Sequence, residues 1–317
     1  MSEVTAIDNY VKKYKLLKKE IAKVIIGQDA VVEQILISIF SGGHVLLVGV
    51  PGLAKTLLVN TLSNALGLHF KRIQFTPDLM PSDILGSEIL NNDRKFQFIK
   101  GPIFSNIILA DEINRTPPKT QAALLEAMQE RSVTVAGQHY KLDQPYFVLA
   151  TQNPIEQEGT YPLPEAQLDR FMFAINLQYP SFDEEVEVVK QTTTDKNTTL
   201  DVIFEAQNVL EFQQLIRKTP VADNVGEYAV KLISKSRPND VHTADLVQQF
   251  VEWGAGPRAS QNLILGAKTH AVLKGKYTPD IEDVQAVATS VLRHRIIKNY
   301  KAAAEGITVE QIIESLF

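Results

Sequence analysis

Apolar residues recur along this chain with two different periods, and the longer period takes over past residue 178. Val11, Tyr14, Leu17, Ile21 and Val24 repeat at helical intervals, and Val32, Ile35, Leu36, Ile39 and Phe40 do the same. Ser41-Gly42-Gly43 then breaks the pattern and leads into His44-Val45-Leu46-Leu47-Val48, a short apolar run of buried-strand type. Leu58, Thr61, Leu62 and Ala65 mark a following helix, and Phe70 to Phe75 a second strand. Ile107 to Ala110, Tyr146 to Thr151 and Phe171 to Leu177 read as further strands, with Leu124, Leu125 and Met128 on a helix between the first two. Past Tyr179-Pro180-Ser181 the alternation stops, and every later element reads as a helix, with a polar excursion at Thr192 to Thr199. The expected division is therefore 1–178 for an α/β part with an N-terminal helix and 179–317 for a helical part.

Local signals sharpen several boundaries. Thr116 is placed to cap a helix with Pro117 at its first position, and Ser181 to cap the helix starting at Phe182. Thr278-Pro279-Asp280 opens the last clear helix, through Ile281, Val284, Val287, Ala288 and Val291. Two hairpins are expected, one turning at Asn91-Asn92-Asp93 with Phe96 and Phe98 on one face, the other at Ala136-Gly137. The second is either a substrate-contacting hairpin or a structural edge.

Composition narrows the class without naming a function. The 317 residues, 44% hydrophobic and 22% charged, suit one large and one smaller globular unit. No apolar run approaches membrane-spanning length, Met1 to Asn9 is too polar for a secretory segment, and a cytoplasmic location is the default expectation. Without cysteine there are no disulfides or thiolate metal sites, and the six histidines lack ligand spacing. A formal net charge of −5 offers no global attraction for nucleic acid. The lysines from Lys12 to Lys23 read as a solvated helix face.

Chemistry enters at Gly49-Val50-Pro51-Gly52-Leu53-Ala54-Lys55-Thr56. Strand, glycine-rich turn and helix form the context of a phosphate-binding loop, in which backbone N–H groups and the helix N-terminus hold the anion. Lys55 would reach the β and γ phosphates, and Thr56 would hold Mg²⁺. Ala54 stands where glycine is usual, and is expected to fit as part of the first helical turn. The candidate nucleotide contacts are thus Gly49, Pro51, Gly52, Leu53, Ala54, Lys55, Thr56 and Leu57, together with Asp111.

Asp111 and Glu112 end an apolar strand, where adjacent carboxylates need a cation or a task. Asp111 would orient Mg²⁺ and Glu112 would polarise the attacking water. Asn153, after the next strand, is either a γ-phosphate ligand or a turn asparagine before proline. Arg170 is either a surface or capping arginine or one that reaches a neighbouring subunit's nucleotide. Arg258 lies in the first turn of a helix opened by Gly256-Pro257, an unfavourable place for a cation without an anion nearby, which points it toward a phosphate.

Taken together, the Gly49-x-Pro51-Gly52-x-Ala54-Lys55-Thr56 loop, the Asp111-Glu112 pair, Asn153, Leu168-Asp169-Arg170-Phe171 and Gly256-Pro257-Arg258-Ala259 resemble the MoxR family of AAA+ ATPases. The Ala54 variant belongs to that family's pattern, and the resemblance runs from about Ile26 to the final helices. It implies a P-loop AAA+ core with a five-stranded parallel sheet, an all-α lid, and a ring, usually a hexamer. It also implies ATP and Mg²⁺ as ligands, Asn153 and Arg258 as first and second sensors, and Arg170 as an arginine finger, with Arg115 as the alternative. Thr76 to Lys100 and Arg131 to Pro145 correspond to insertions on the substrate side of the ring.

The function this resemblance implies is ATP hydrolysis driving chaperone-like remodelling or maturation of partner proteins, a von Willebrand factor A domain being the best guess for the partner. The alternatives are a nucleic-acid or metal-chelatase motor subunit, and a nucleotide-gated scaffold with little turnover. The acidic balance argues against nucleic acid.

Overall fold

The computed structural model of the protein describes residues 3–156, 159–193 and 198–317. Five strands, β1 (Val45–Val48), β2 (Phe70–Gln74), β5 (Ile107–Asp111), β8 (Phe147–Gln152) and β9 (Phe173–Asn176), form one parallel sheet in the order β2-β5-β8-β1-β9. Their continuous apolar runs follow from burial on both faces. Val45, Leu47, Ile107, Leu109, Phe147 and Leu149 enter one core cluster, and the alternate residues Leu46, Ile108, Ala110, Val148 and Ala150 enter the other.

The first cluster is covered by α1 (Glu3–Ile21), α2 (Asp29–Ser41) and α3 (Lys55–Ala65), the second by α4 (Pro81–Leu85) and α5 (Pro118–Glu130). Helix α5 begins one residue later than the sequence suggests. Each residue preceding a proline is pushed toward extended backbone, so Thr116 and Pro117 are both extended and Pro118 opens the helix. Hairpins β3 (Gly86–Leu90) with β4 (Phe96–Lys100) and β6 (Ser132–Val135) with β7 (Gln138–Lys141) form where expected. Ala136 and Gly137 both take positive φ at the second turn. The hairpins touch through Phe98, whose ring stacks on Tyr140 at 4.4 Å between centroids.

After the short α6 (Glu165–Leu168) and β9 come α7 (Phe182–Thr192), α8 (Ala206–Lys218), α9 (Asp223–Lys235), α10 (Asp245–Phe250), α11 (Pro257–Leu273), α12 (Ile281–Leu292), α13 (Tyr300–Ala304) and α14 (Val309–Glu314). Ser181 caps α7 and Asp280 caps α12, each with a reciprocal bond from the third helical residue. Part of the polar excursion, residues 194–197, lies outside the described residues. The helical part is not purely α: β10 (Val251–Trp253) pairs antiparallel with β11 (Ile297–Lys298). Val251 and Trp253 continue directly from α10, so no turn signal separates helix from strand.

The core does not stop at residue 178. Phe40 of α2 packs edge-on to Phe212 of α8 at 4.9 Å, Tyr10 of α1 stacks on the same ring at 4.7 Å, and Phe204 completes the group. Helices α1 and α2 also contact α11. One apolar cluster therefore runs from the N-terminal helices into the lid.

Candidate functional site

The strand order brings the C-terminal ends of β2, β5, β8 and β1 side by side, and a crevice at such ends is where open parallel sheets take ligands. The residues from Pro51 to Leu57 line a cleft of about 380 Å³ there, opposite Arg72, Asp111, Glu112 and Asn153. Gly49 is not among the residues lining the cleft but is tightly packed: a Cβ on it would fall 2.7 Å from Leu177 Cβ, so a side chain has no room. Helix α3 starts without a side-chain cap, which leaves its first backbone N–H groups for an anion.

Ala54 is not part of the helical turn. It is the N-cap, with φ 53° and ψ 28°, in the left-handed region. Glycine is usual at such a position because an L-residue loses roughly 1–2 kcal/mol there. Lys55 Nζ donates to Gly49 O at 2.6 Å. Burial lowers the Lys55 pKa, and the carboxylates of Asp111, Glu112 and Glu156 oppose that shift.

Both acidic residues are held by named partners. Thr151 Oγ1 donates to Asp111 Oδ1 at 2.6 Å and accepts the Glu112 N–H at 2.8 Å. Arg72 donates to Asp111 Oδ2 through Nη2 at 2.6 Å and Nε at 3.1 Å. Glu112, also left-handed at φ 58°, accepts from Gln74 Nε2 at 3.0 Å and Arg115 Nη1 at 3.1 Å. That ion pair raises the Arg115 pKa. Asn153 is a turn asparagine and a cleft residue at once: its Oδ1 accepts the Ile155 N–H at 3.1 Å, and its side chain is nearly buried.

Neither Arg170 nor Arg258 is among the described residues lining this cleft. Arg170 Nη1 donates to Leu125 O at 2.6 Å, against α5. Arg258 does meet an anion at the start of α11, but the anion is protein: its Nη1 lies 3.0 Å from Asp169 Oδ2. The carboxylate supplies the compensation that the positive helix end requires, so that position alone does not imply a phosphate.

Residues 44–173 match the profile of the ATPase family associated with various cellular activities (AAA), and residues 243–316 match the AAA lid domain. The chain is 43% identical to Chaperone MoxR1 of Mycobacterium tuberculosis, over 93% of this chain and 78% of that protein. It is 29% identical to Protein MoxR of Methylorubrum extorquens, over 88% of this chain and 86% of that one. A crystal structure of a candidate ATPase from Cytophaga hutchinsonii superposes with a TM-score of 0.90 at 44% identity, covering 98% of this chain and 95% of that one. The chain belongs to the MoxR family of AAA+ ATPases.

The AAA ATPase family binds nucleotide, and the donor set of this cleft would suit a divalent cation beside it. The Thr56 hydroxyl and the Asp111 carboxylate are hard oxygen ligands of the kind Mg²⁺ takes. Arg72, Gln74 and Thr151 are the residues that sequence reasoning missed in this MoxR site. The sequence carries no local signal for them: Gln74 meets Asp111 only through the pairing of β2 with β5, and Arg72 lies two residues earlier on the same face.

Proposed function

We propose that this ATPase works as a subunit of a ring, a hexamer in the family's manner, and hydrolyses ATP between subunits to remodel or mature partner proteins in the cytoplasm. The single observation that carries the reading is the separation of arginines. The cleft gathers a phosphate cradle, Lys55, two carboxylates and Asn153, while Arg170 lies elsewhere on the same chain. An arginine excluded from its own cleft is available to a neighbour's.

In this reading the backbone from Gly52 to Thr56 and the Lys55 ammonium bind the β and γ phosphates. Thr56 and Asp111 would hold Mg²⁺, an ion that would supply charge neutralisation at the phosphate oxygens. Glu112, positioned by Gln74 and Arg115, takes the proton of the attacking water, and Asn153 orients that water against the γ phosphate. Arg258 follows nucleotide with the lid, and Arg170 completes the adjacent subunit's site. Partners bearing von Willebrand factor A domains suit the family resemblance. No helix among the described residues is long and apolar enough to cross a membrane.

Turnover per subunit is expected to rise with protein concentration as copies assemble. Arg170→Ala is expected to lower turnover by about 10³-fold or more under assembling conditions, with ATP binding retained. Turnover that stays constant across the dissociation range rules out the shared site, and turnover that survives in Arg170→Ala rules out Arg170 as the residue that completes it. Glu112→Gln is expected to bind ATP and release no phosphate at steady state.

A further inference from the structure

Three consecutive residues at the end of the lid helix α12 grip the segment that carries Arg170. Arg293 Nη1 donates to Ala174 O at 3.1 Å. His294 Nε2 lies 3.1 Å from Phe171 O, and burial beside two arginines keeps the ring neutral, so the Nε2 proton makes this bond. Arg295, only 2% exposed, satisfies all five of its N–H groups. Nε donates to Asp169 Oδ1 at 2.7 Å, Nη1 to Met172 O and Val291 O, and Nη2 to Asp169 O at 3.0 Å and Phe171 O at 2.7 Å.

Asp169 thus serves two arginines of the lid through its two oxygens. One is buried with every donor used. The other, Arg258, is 44% exposed and held by a single contact. The residue covalently next to Asp169 is Arg170. Helices α11 and α12, which carry Arg258 and the gripping residues, pack along each other.

We propose that Asp169 and Arg295 form a joint coupling the two arginines, so that the lid position read by Arg258 in one subunit sets where that subunit presents Arg170 to the next. Asp169 and Arg295 are positioning residues in this scheme, which rests on the roles proposed above for Arg170 and Arg258. Arg295 moves the 169–172 backbone with the lid through bonds that leave no donor spare. Arg258 remains exchangeable between the carboxylate and an incoming phosphate, because its contact is single and solvated. Two sites then communicate through one carboxylate that both lid arginines touch.

Mixed assemblies test the joint at the neighbour's site. Wild-type subunits in an excess of Glu112→Gln subunits hydrolyse ATP only at wild-type sites, each served by a Glu112→Gln neighbour. Adding Asp169→Asn to the Glu112→Gln subunits is expected to lower that hydrolysis by up to roughly 10²-fold, the loss produced by misplacing a catalytic group by about 1 Å. The doubly substituted subunits lose part of this pair, so their thermal midpoint is expected to fall; hydrolysis is read well below it, and their undiminished entry into mixed assemblies, followed by size-exclusion chromatography, separates the joint from a general folding defect. Arg295→Lys in the same background retains the charge but not the fork, and is expected to act in the same direction. Unchanged hydrolysis with both variants overturns the joint. Glu112→Gln subunits carrying Arg170→Ala are the reference. If they suppress hydrolysis and the Asp169 and Arg295 variants do not, the joint alone falls; if none does, the role of Arg170 falls and takes the joint with it.

Discussion

The nucleotide cleft and the joint between core and lid both depend on arginine–carboxylate pairs, and they treat them in opposite ways. In the cleft Arg72 is 46% exposed beside Asp111, and Arg115 is 42% exposed beside Glu112. In the joint Arg295 is out of water and every donor has an acceptor. An exposed pair is worth about 0.2–1 kcal/mol, whereas removing one member of a buried pair costs about 3–5 kcal/mol. Charges that must change partners as ligands come and go are left half-solvated. The charge that holds architecture is buried and saturated.

The sharpest way to break that contrast is at Arg295. Arg295→Met leaves Asp169 short of a partner and several carbonyls unsatisfied, and should reduce unfolding free energy by about 3–5 kcal/mol in a denaturant titration. A loss under about 1 kcal/mol would place the joint in the same class as the cleft.

His44 offers a pH test of the same distinction. Its Nδ1 accepts the Val148 N–H at 3.0 Å, so Nε2 carries the proton and donates to Met128 O at 3.1 Å. Burial drives its pKa down to about 4, whereas in the unfolded chain it titrates near the ordinary value of 6.5. The unfolded state therefore takes up a proton first as pH falls. His44 contributes its full stability above pH 6.5 and loses it progressively toward pH 4, an effect of about 3 kcal/mol. Stability curves of the protein and of His44→Gln should converge in slope only if another group causes the acid loss.

The smallest effect is expected at Arg72. Arg72→Ala should change unfolding free energy by less than about 1 kcal/mol, since the guanidinium is half in water and Asp111 keeps its bond from Thr151. A change comparable to that of Arg295→Met would show that the cleft pair is structural after all.

What was legible in the sequence was local, and what was hidden required a neighbour in space. The strand, glycine-rich turn and helix around Gly49 to Thr56, the Asp111-Glu112 strand end, both hairpins, the Ser181 cap and the helix opened near Asp280 each declare themselves within a few residues. Arg72 and Gln74 reach the carboxylates only through the β2–β5 register, with more than thirty residues between them in the chain. Arg293-His294-Arg295 looks like the basic end of an ordinary helix until the 169–174 segment lies beside it. Ala54 shows the limit of local rules differently: alanine favours helix, but the loop's closure sets its dihedrals, and propensity yields. Arg258 shows the same limit: its place in the first helical turn points toward a phosphate, and the anion that stands beside it is Asp169.

The Phe40, Phe204 and Phe212 cluster carries a consequence for how the chain is made. Helices α1 and α2 leave the ribosome well before α8 and α11, which cover them and are translated more than 160 residues later. At about 5–20 residues per second, Ile35, Leu36 and Phe40 wait many seconds for their final neighbours. An apolar face made well before its partners is among the last to be shielded from water.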